Sequence, residues 1–306
     1  MNTETFYPNI QDNEPLSEEV SLMKGMVINA LRKTYKDHLE LGAKGLEYFG
    51  QENRYGDLTL LADWVAEQSI LDYLRKQKIG IRLIGEEIED TDLGQEIDYL
   101  GAIDGIDGTS AYKKGLEYST LFSILKGVSP YYKDYLASGI LMYPTGGLML
   151  ATRDNGAFLL LDGKVDPVHV SDYQELNEEV TRIATDDYFE VTQRVFVANF
   201  SSFKNFEVLT PESPGSSGLL YARLACGELD LVLECTRKEN QEIVVAYGTV
   251  KEAGGVMLDI EGNDLGDKRY LEFGRGGSKS EPTIAANSID LAHEAIEYIR
   301  NRLKKA

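Results

Sequence analysis

Ile103-Asp104-Gly105-Ile106-Asp107-Gly108-Thr109-Ser110 is the stretch on which the reading of the chain turns. The residues before it, Ile97 to Ile103, read as a strand, and those after it, Ser110 to Lys114, fit a short helical turn. Two carboxylates three residues apart therefore leave a strand end, with glycines between them and a hydroxyl just beyond. Gly105 and Gly108 let the backbone bend tightly and approach a ligand with no Cβ in the way. Asp104 and Asp107 offer hard oxygen ligands, which suit Mg²⁺, Mn²⁺ or Ca²⁺ rather than a soft metal. Peptide N–H groups opening toward a helix start form a natural seat for phosphate. A cation that also touched the phosphate would complete a phosphoryl-transfer site. Taken alone, the same residues are equally an Asp-Gly turn after a strand. Their company favours the chemical reading: an acidic turn, Gly85-Glu86-Glu87, lies upstream, and Glu252-Ala253-Gly254-Gly255 lies far downstream.

Composition narrows the classes. The 306 residues are enough for one large domain or two moderate ones with an ample core. A net charge of −20, from 31 basic and 51 acidic residues, repels nucleic acid polymers and anionic membranes. It also repels a phosphorylated substrate, unless cations sit in the site. No run of about eighteen apolar residues appears, so no membrane span is expected. Met1 to Pro15 is polar and acidic, unlike a signal peptide. Cys226 and Cys235 read as bystander thiols in a reducing compartment, which makes the cytoplasm the expected location. His38, His169 and His293 stand in unrelated contexts, against a His-based zinc site or a Ser-His-Asp triad.

Along the chain, apolar residues at Leu16, Val20, Met23, Val27, Leu31 and Tyr35 have helical spacing and predict a long helix to Leu41. A second helix is expected from Asp63 to Lys76, with Asp63 near its first turn; capping or dipole complementarity would by itself explain that carboxylate. Ile79 to Ile84 reads as a strand running into Glu86, and Tyr118 to Leu125, Ala137 to Tyr143, Leu148 to Leu150 and Gly156 to Leu161 as an antiparallel series. The polar stretch Asp162 to Glu179 is the expected junction between a domain of residues 1–165 and one of 166–306. Beyond it come a strand at Arg194 to Ala198 and Gly215-Ser216-Ser217-Gly218 opening a helix from Leu219 to Cys226. Next are a strand at Leu229 to Glu234, a polar loop with Arg237 and Lys238, and a helix at Ile243 to Glu252. A last strand, Pro282 to Ala286, precedes a helix at Leu291 to Leu303. The small residues before Leu219 suit an N-cap as well as contact with a ligand's phosphate or hydroxyl.

In order and spacing, these segments resemble the inositol monophosphatase family of metal-dependent, lithium-sensitive phosphatases. The matching residues are Gly56-Asp57-Leu58-Thr59-x-x-Ala62-Asp63, Ile84-Gly85-Glu86-Glu87, Asp104-Gly105-Ile106-Asp107-Gly108-Thr109, Gly139 through Pro144, Gly215-Ser216-Ser217, Glu252-Ala253-Gly254-Gly255 and Ile284-Ala285-Ala286-Asn287. The resemblance implies an α/β (α+β) fold, a layered α/β/α/β/α sandwich of the inositol monophosphatase and fructose-1,6-bisphosphatase type, with an antiparallel N-terminal sheet and a smaller mixed C-terminal sheet. It implies two or three Mg²⁺ ions, with Mn²⁺ as an alternative, held by Glu86, Asp104, the carbonyl of Ile106, Asp107 and Glu242. Glu86, Thr109 and Asp63 would be catalytic, Thr109 orienting the attacking water with Asp63 behind it. Gly108, Thr109 and Ser110 would face the phosphate, and Gly215, Ser216, Ser217 and Glu234 the alcohol part of the substrate. Relatives further suggest a homodimer.

Three departures qualify the match. Gln241-Glu242 stands where the family usually has Trp-Asp, so Glu242 must reach a metal with one extra methylene, and Mg²⁺ tolerates little deviation from octahedral geometry. The loop between Asp230 and Glu242 is one residue longer than usual, which bears on Glu234, Arg237 and Lys238. Gly105 and Ala111 replace residues that are commonly Pro and Asn. The expected activity is hydrolysis of a small phosphorylated alcohol or sugar. Fructose 1,6-bisphosphate or a nucleotide 3′-phosphate are alternative substrates, and a non-catalytic metal- or phosphate-binding member is the rival reading.

Overall fold

The structure, a computed structural model, describes residues 16–177, 180–185, 207–209, 215–236, 240–274 and 280–303. The expected strand at Arg194 to Ala198 and the loop residues Arg237 and Lys238 lie outside the described residues.

The long first helix, α1 (Glu18–Leu41), starts where Ser17 caps it by accepting from the Val20 amide at 3.3 Å, with Glu18 and Glu19 favoured in its first turn by the helix dipole. A polar hairpin follows, β1 (Tyr48–Glu52) and β2 (Leu58–Leu60), and leads directly into α2 (Leu61–Leu74). The next strand, β3 (Ile81–Ile84), is followed by β4 (Thr91–Leu93) and the central β5 (Tyr99–Asp107); a short helix, α3 (Thr109–Lys114), continues from β5. β6 (Tyr118–Lys126), β7 (Tyr135–Tyr143), β8 (Gly147–Thr152), β9 (Gly156–Leu161) and β10 (Lys164–Val168) then form a meander.

These strands make one eight-stranded sheet in the order β10-β9-β8-β7-β6-β5-β3-β4. Its expected antiparallel character breaks at one joint, where β3 runs parallel to β5. Parallel neighbours end on the same side of a sheet, and the register pairs Ile84 with Ala102, so Glu86 and Asp104, each two residues on, leave the sheet at the same edge. The edge strand β10 continues this sheet across residues 165 and 166; Pro167 is tolerated there because an edge strand can spare an N–H.

The second half holds β11 (Arg182–Thr185), β12 (Glu207–Leu209), α4 (Ser217–Ala225), β13 (Leu231–Cys235), α5 (Gln241–Glu252), β14 (Val256–Asp259), β15 (Pro282–Ala286) and α6 (Ile289–Leu303). Its five strands form a mixed sheet, β12-β11-β13-β15-β14, parallel on one side of β13 and antiparallel on the other.

Three apolar clusters join the layers. Met23, Val27 and Leu31 of α1 and Ala66, Ile70 and Leu74 of α2 pack with Ile103, Phe122 and Leu141 of the larger sheet. Leu220 and Leu224 of α4 and Val244 and Ile243 of α5 join the opposite sheet face, at Leu100, Leu121 and Ile140, to Val232 and Met257. Leu291, Ala295 and Ile299 of α6 cover the outer face of the smaller sheet at Ile183, Leu233 and Ile284. The order is helix, sheet, helix, sheet, helix, the expected layered sandwich.

Candidate active site

The site grows from the end of β5. In a regular strand, residues three apart point to opposite faces. Here Asp104 pairs with Leu121 while Asp107 pairs with Ser119, three steps against two, which is a β-bulge. One extra residue restores the same side to both carboxylates, the usual effect of a bulge beside a functional site. Gly105 occupies the bulge, its carbonyl accepting from Thr120 Oγ1 at 2.6 Å. A Cβ on Gly105 would lie 2.5 Å from the Asp63 carbonyl oxygen, so the bare backbone lets α2 press against the strand. The Cβ of a proline at this place would meet the same carbonyl.

Glu242 completes a triad across the cleft. Ligand oxygens of Asp104, Asp107 and Glu242 lie within 4.8 Å of one another. Glu242 sits in the first turn of α5, where the helix dipole favours a carboxylate. Asp107 points at the start of α4: its carboxylate accepts from the Gly218 amide at 2.6 Å, the Ser217 amide at 3.2 Å, and the hydroxyls of Ser216 and Ser119. Burial, then Asp107, Glu242, Glu86 and Asp63 in turn, push the Asp104 carboxyl well above the usual range. Asp63 is raised in the same way, by burial, Glu87, Glu86 and Glu67, with Lys113 pulling back. Buried carboxylates facing each other must bind protons or cations. All-oxygen donors from β5 and α5 fit a hard divalent cation. Two ligands on one Mg²⁺ lie at most about 4.2 Å apart, so the triad needs only a slight closing.

Glu86 lies outside this triad. Its carboxylate accepts from Asn53 Nδ2 at 3.0 Å, an amide donor within easy reach at the tip of the β1–β2 hairpin. It nevertheless stands close enough to raise both Asp104 and Asp63. Thr109 also differs from expectation: its hydroxyl donates to the Ile106 carbonyl at 3.1 Å, and no Thr109–Asp63 hydrogen bond is present among the described residues. As the first residue of α3, Thr109 folds its side chain back onto the carbonyl three residues earlier. That carbonyl keeps a second lone pair.

The residues expected to face substrate divide into two groups. Gly108, with φ +94°, and Gly215, with φ +76°, pack loop against loop, and exposed Ser110 follows in α3. Ser216 instead caps α4, accepting from the Leu219 amide, and bonds Ser119 and Asp107. Ser217 donates to Glu234 at 2.6 Å, and Glu234, buried at 1% exposure, also accepts from Tyr221 at 2.7 Å. The carboxylate of Glu234 is directed into α4.

Residues 12–298 match the inositol monophosphatase family. The chain belongs to that family. It is 29% identical over 231 residues to the inositol monophosphatase of Mesembryanthemum crystallinum, covering 72% of this chain and 78% of that protein. It is 26% identical over 221 residues to a probable 3′(2′),5′-bisphosphate nucleotidase 4 of Arabidopsis thaliana, covering 66% of this chain and 59% of the nucleotidase. The chain thus spans little more than half the length of that relative. The fold is shared with the crystal structure of the extragenic suppressor protein SuhB from Bartonella henselae, with a TM-score of 0.68 at 21% identity over 92% of this chain and 98% of that one.

Several partners of this carboxylate cluster escaped the sequence reading. Glu67 of α2, wholly buried, accepts from the backbone amides of Glu86, Glu87 and Ile88 at 2.9–3.2 Å. Burial and Glu87 push its carboxyl up to about 8, against the pull of those amides. Asn53 bridges Glu86 and Glu87 through its amide nitrogen while its oxygen accepts from the Tyr55 and Asp57 amides. Thr59 donates to Glu87. The one available signal was Asp63-x-x-x-Glu67, two carboxylates one helical turn apart on the same face of α2.

Proposed function

We propose that the protein is a Mg²⁺-dependent phosphomonoester hydrolase acting on a small phosphorylated alcohol or sugar, in the manner of an inositol monophosphatase. The observation that carries this is the triad Asp104, Asp107 and Glu242, three carboxylates brought within 4.8 Å from β5 and α5. Family membership and the names of the relatives, an inositol monophosphatase and a bisphosphate nucleotidase, support the same reaction class. The triad with Glu86 and the Ile106 carbonyl would hold two or three Mg²⁺ ions, or Mn²⁺ in their place. When bound, such ions lower the pKa of a water and neutralise charge on the leaving oxygen.

The protein's own groups supply the rest. Glu86, half-exposed beside the cluster, accepts the proton of the attacking water. The Thr109 hydroxyl is pinned by donating to Ile106, so its lone pairs are left to accept from that water and orient it. Asp63, buried behind this pair, resists ionisation. The start of α3, at Gly108, Thr109 and Ser110, turns the first N–H groups of a helix toward the phosphate oxygens. Gly215 borders the same opening, and Ser216, Ser217 and Glu234 shape the alcohol side by fixing the start of α4. Catalysis rests mainly on positioning and charge neutralisation.

The protein is proposed to be a homodimer in the cytoplasm, where the lack of a disulfide at Cys226 and Cys235 fits a reducing compartment; sizing of the purified protein and fractionation of cells test the two parts. The substrate is tested by phosphate release from an inositol monophosphate, fructose 1,6-bisphosphate and a nucleoside 3′,5′-bisphosphate, with and without Mg²⁺. Release from at least one, abolished by chelator, is expected. No release from any ester with Mg²⁺ or Mn²⁺ present would leave the non-catalytic metal- or phosphate-binding reading standing.

A further inference from the structure

We propose that Glu67 is a positioning residue that holds the Glu86–Glu87 turn in the shape Glu86 needs to serve as a metal ligand. The inference rests on the proposed metal site, and concerns a residue that touches neither metal nor substrate.

Three consecutive amides, those of Glu86, Glu87 and Ile88, converge on the two Glu67 carboxylate oxygens, at 2.9, 3.2 and 2.9 Å for the shortest contact of each. Successive N–H groups turned inward form a nest for an anion, and here the anion is a side chain of α2. The nest leaves the turn no freedom to rotate its backbone, so the directions of the Glu86 and Glu87 side chains are set from below. The neighbours are cut to fit: a Cβ on Gly85 would run into Glu67 Oε2, and one on Gly105 would lie 3.2 Å from Glu67 Cγ. Glu67 is therefore wedged between the acidic turn and the bulge that carries Asp104, and couples their spacing. A carboxylate buried this completely is costly to keep. For a turn between two strands, a neutral acceptor would serve the structure as well.

The test uses the full chain as the wild type and as Glu67→Gln, Glu86→Gln and the double variant. Gln keeps the size of the side chain but replaces one accepting oxygen by a donor, so it cannot satisfy all three amides. Mn²⁺ binding is read by the loss of free-ion EPR signal, and Mg²⁺-dependent phosphate release is followed in parallel. Glu67→Gln is expected to weaken Mn²⁺ binding about tenfold or more and to raise the Mg²⁺ midpoint. At saturating Mg²⁺ most of kcat should return, and the double variant should bind no more weakly than Glu86→Gln. Unchanged Mn²⁺ affinity in Glu67→Gln, whatever its thermal stability, overturns the proposal, as does full additivity with Glu86→Gln. If Glu67→Gln does not fold, Gly85→Ala displaces the same carboxylate by its Cβ, and equal Mn²⁺ affinity in that variant is equally fatal. A wild type that binds Mn²⁺ but hydrolyses no ester removes the phosphatase reading alone, since the EPR comparison still decides the role of Glu67.

Discussion

Replacing Glu242 by Gln isolates one charge of the triad without shortening the side chain. The perturbation can be sized from the structure. The three ligand oxygens lie within 4.8 Å of one another, close to the limit of about 4.2 Å for two oxygens on one Mg²⁺ at 2.0–2.1 Å. The arrangement is thus nearly ready for a cation, and the charge of Glu242 is one of the three that attract it. One unit charge about 4 Å from another at an effective dielectric of about 20 is worth about 4 kcal/mol, which sets the order of magnitude for removing one charge from the site. Two effects reduce this. The amide oxygen of Gln remains a ligand, and removal of the Glu242 charge also relieves Asp104, which that charge burdens. Glu242 is also only partly buried, so solvent screens part of the interaction. A net loss of about 2 kcal/mol, near thirtyfold in Mg²⁺ affinity, is the expected result. The assay is a Mg²⁺ titration of phosphate release, with fluorescence of Trp64 as a binding signal independent of turnover. Trp64 is the chain's single tryptophan, adjoins Asp63 and stacks on Phe49 at 4.3 Å. A Mg²⁺ midpoint within twofold of the wild type, in two active proteins, would remove Glu242 from the ligand set.

Three further outcomes are expected. Asp104→Asn should lower phosphate release by about a hundredfold or more. The same variant should make the chelator-treated protein more stable to urea, because it removes a carboxyl that burial and four acidic neighbours disfavour in its charged form; near-normal turnover would refute the site. Stability of the chelator-treated protein should fall as pH rises: Glu67 is raised from 4.5 to about 8 and Asp63 and Asp104 are raised as well, so the folded state holds more protons than the unfolded state through that window. Saturating Mg²⁺ should flatten the slope, and a melting temperature independent of pH without metal would contradict the burial of these groups. Gly108→Ala should cost about 3 kcal/mol in urea unfolding, from a left-handed backbone at about 1–2 kcal/mol and a clash of its Cβ, 2.6 Å from the Gly215 carbonyl oxygen. A loss below about 0.5 kcal/mol would mean that the two glycine loops do not meet.

What the chain alone determined was local. The strand, bulge glycine and helix start around Asp104 and Asp107 are contiguous, so their order and spacing carry the chemistry whatever surrounds them. The long apolar periodicities of α1 and α6 and the meander from β6 to β9 were legible for the same reason, since each is a repeat within one segment. The short strands β11 and β14 and the polar hairpin β1–β2 were not, because three to five residues are too few for a period to show. Direction within the site belonged to the tertiary structure. The family resemblance implies that Glu234 faces the substrate, yet the packing of α4 brings Ser217 and Tyr221 onto it. Thr109 takes the Ile106 carbonyl because that acceptor is three residues away, and Glu86 takes Asn53 because the hairpin folds over it. Glu242 joins Asp104 from more than a hundred residues away only because α5 is clamped between the two sheets. Glu67 offered only its spacing from Asp63, and its role became visible once α2 lay beneath the acidic turn. A sequence specifies which groups can bind charge, but a carboxylate's partner is whichever donor the packed layers leave within about 3 Å, and that distance is set by the whole core.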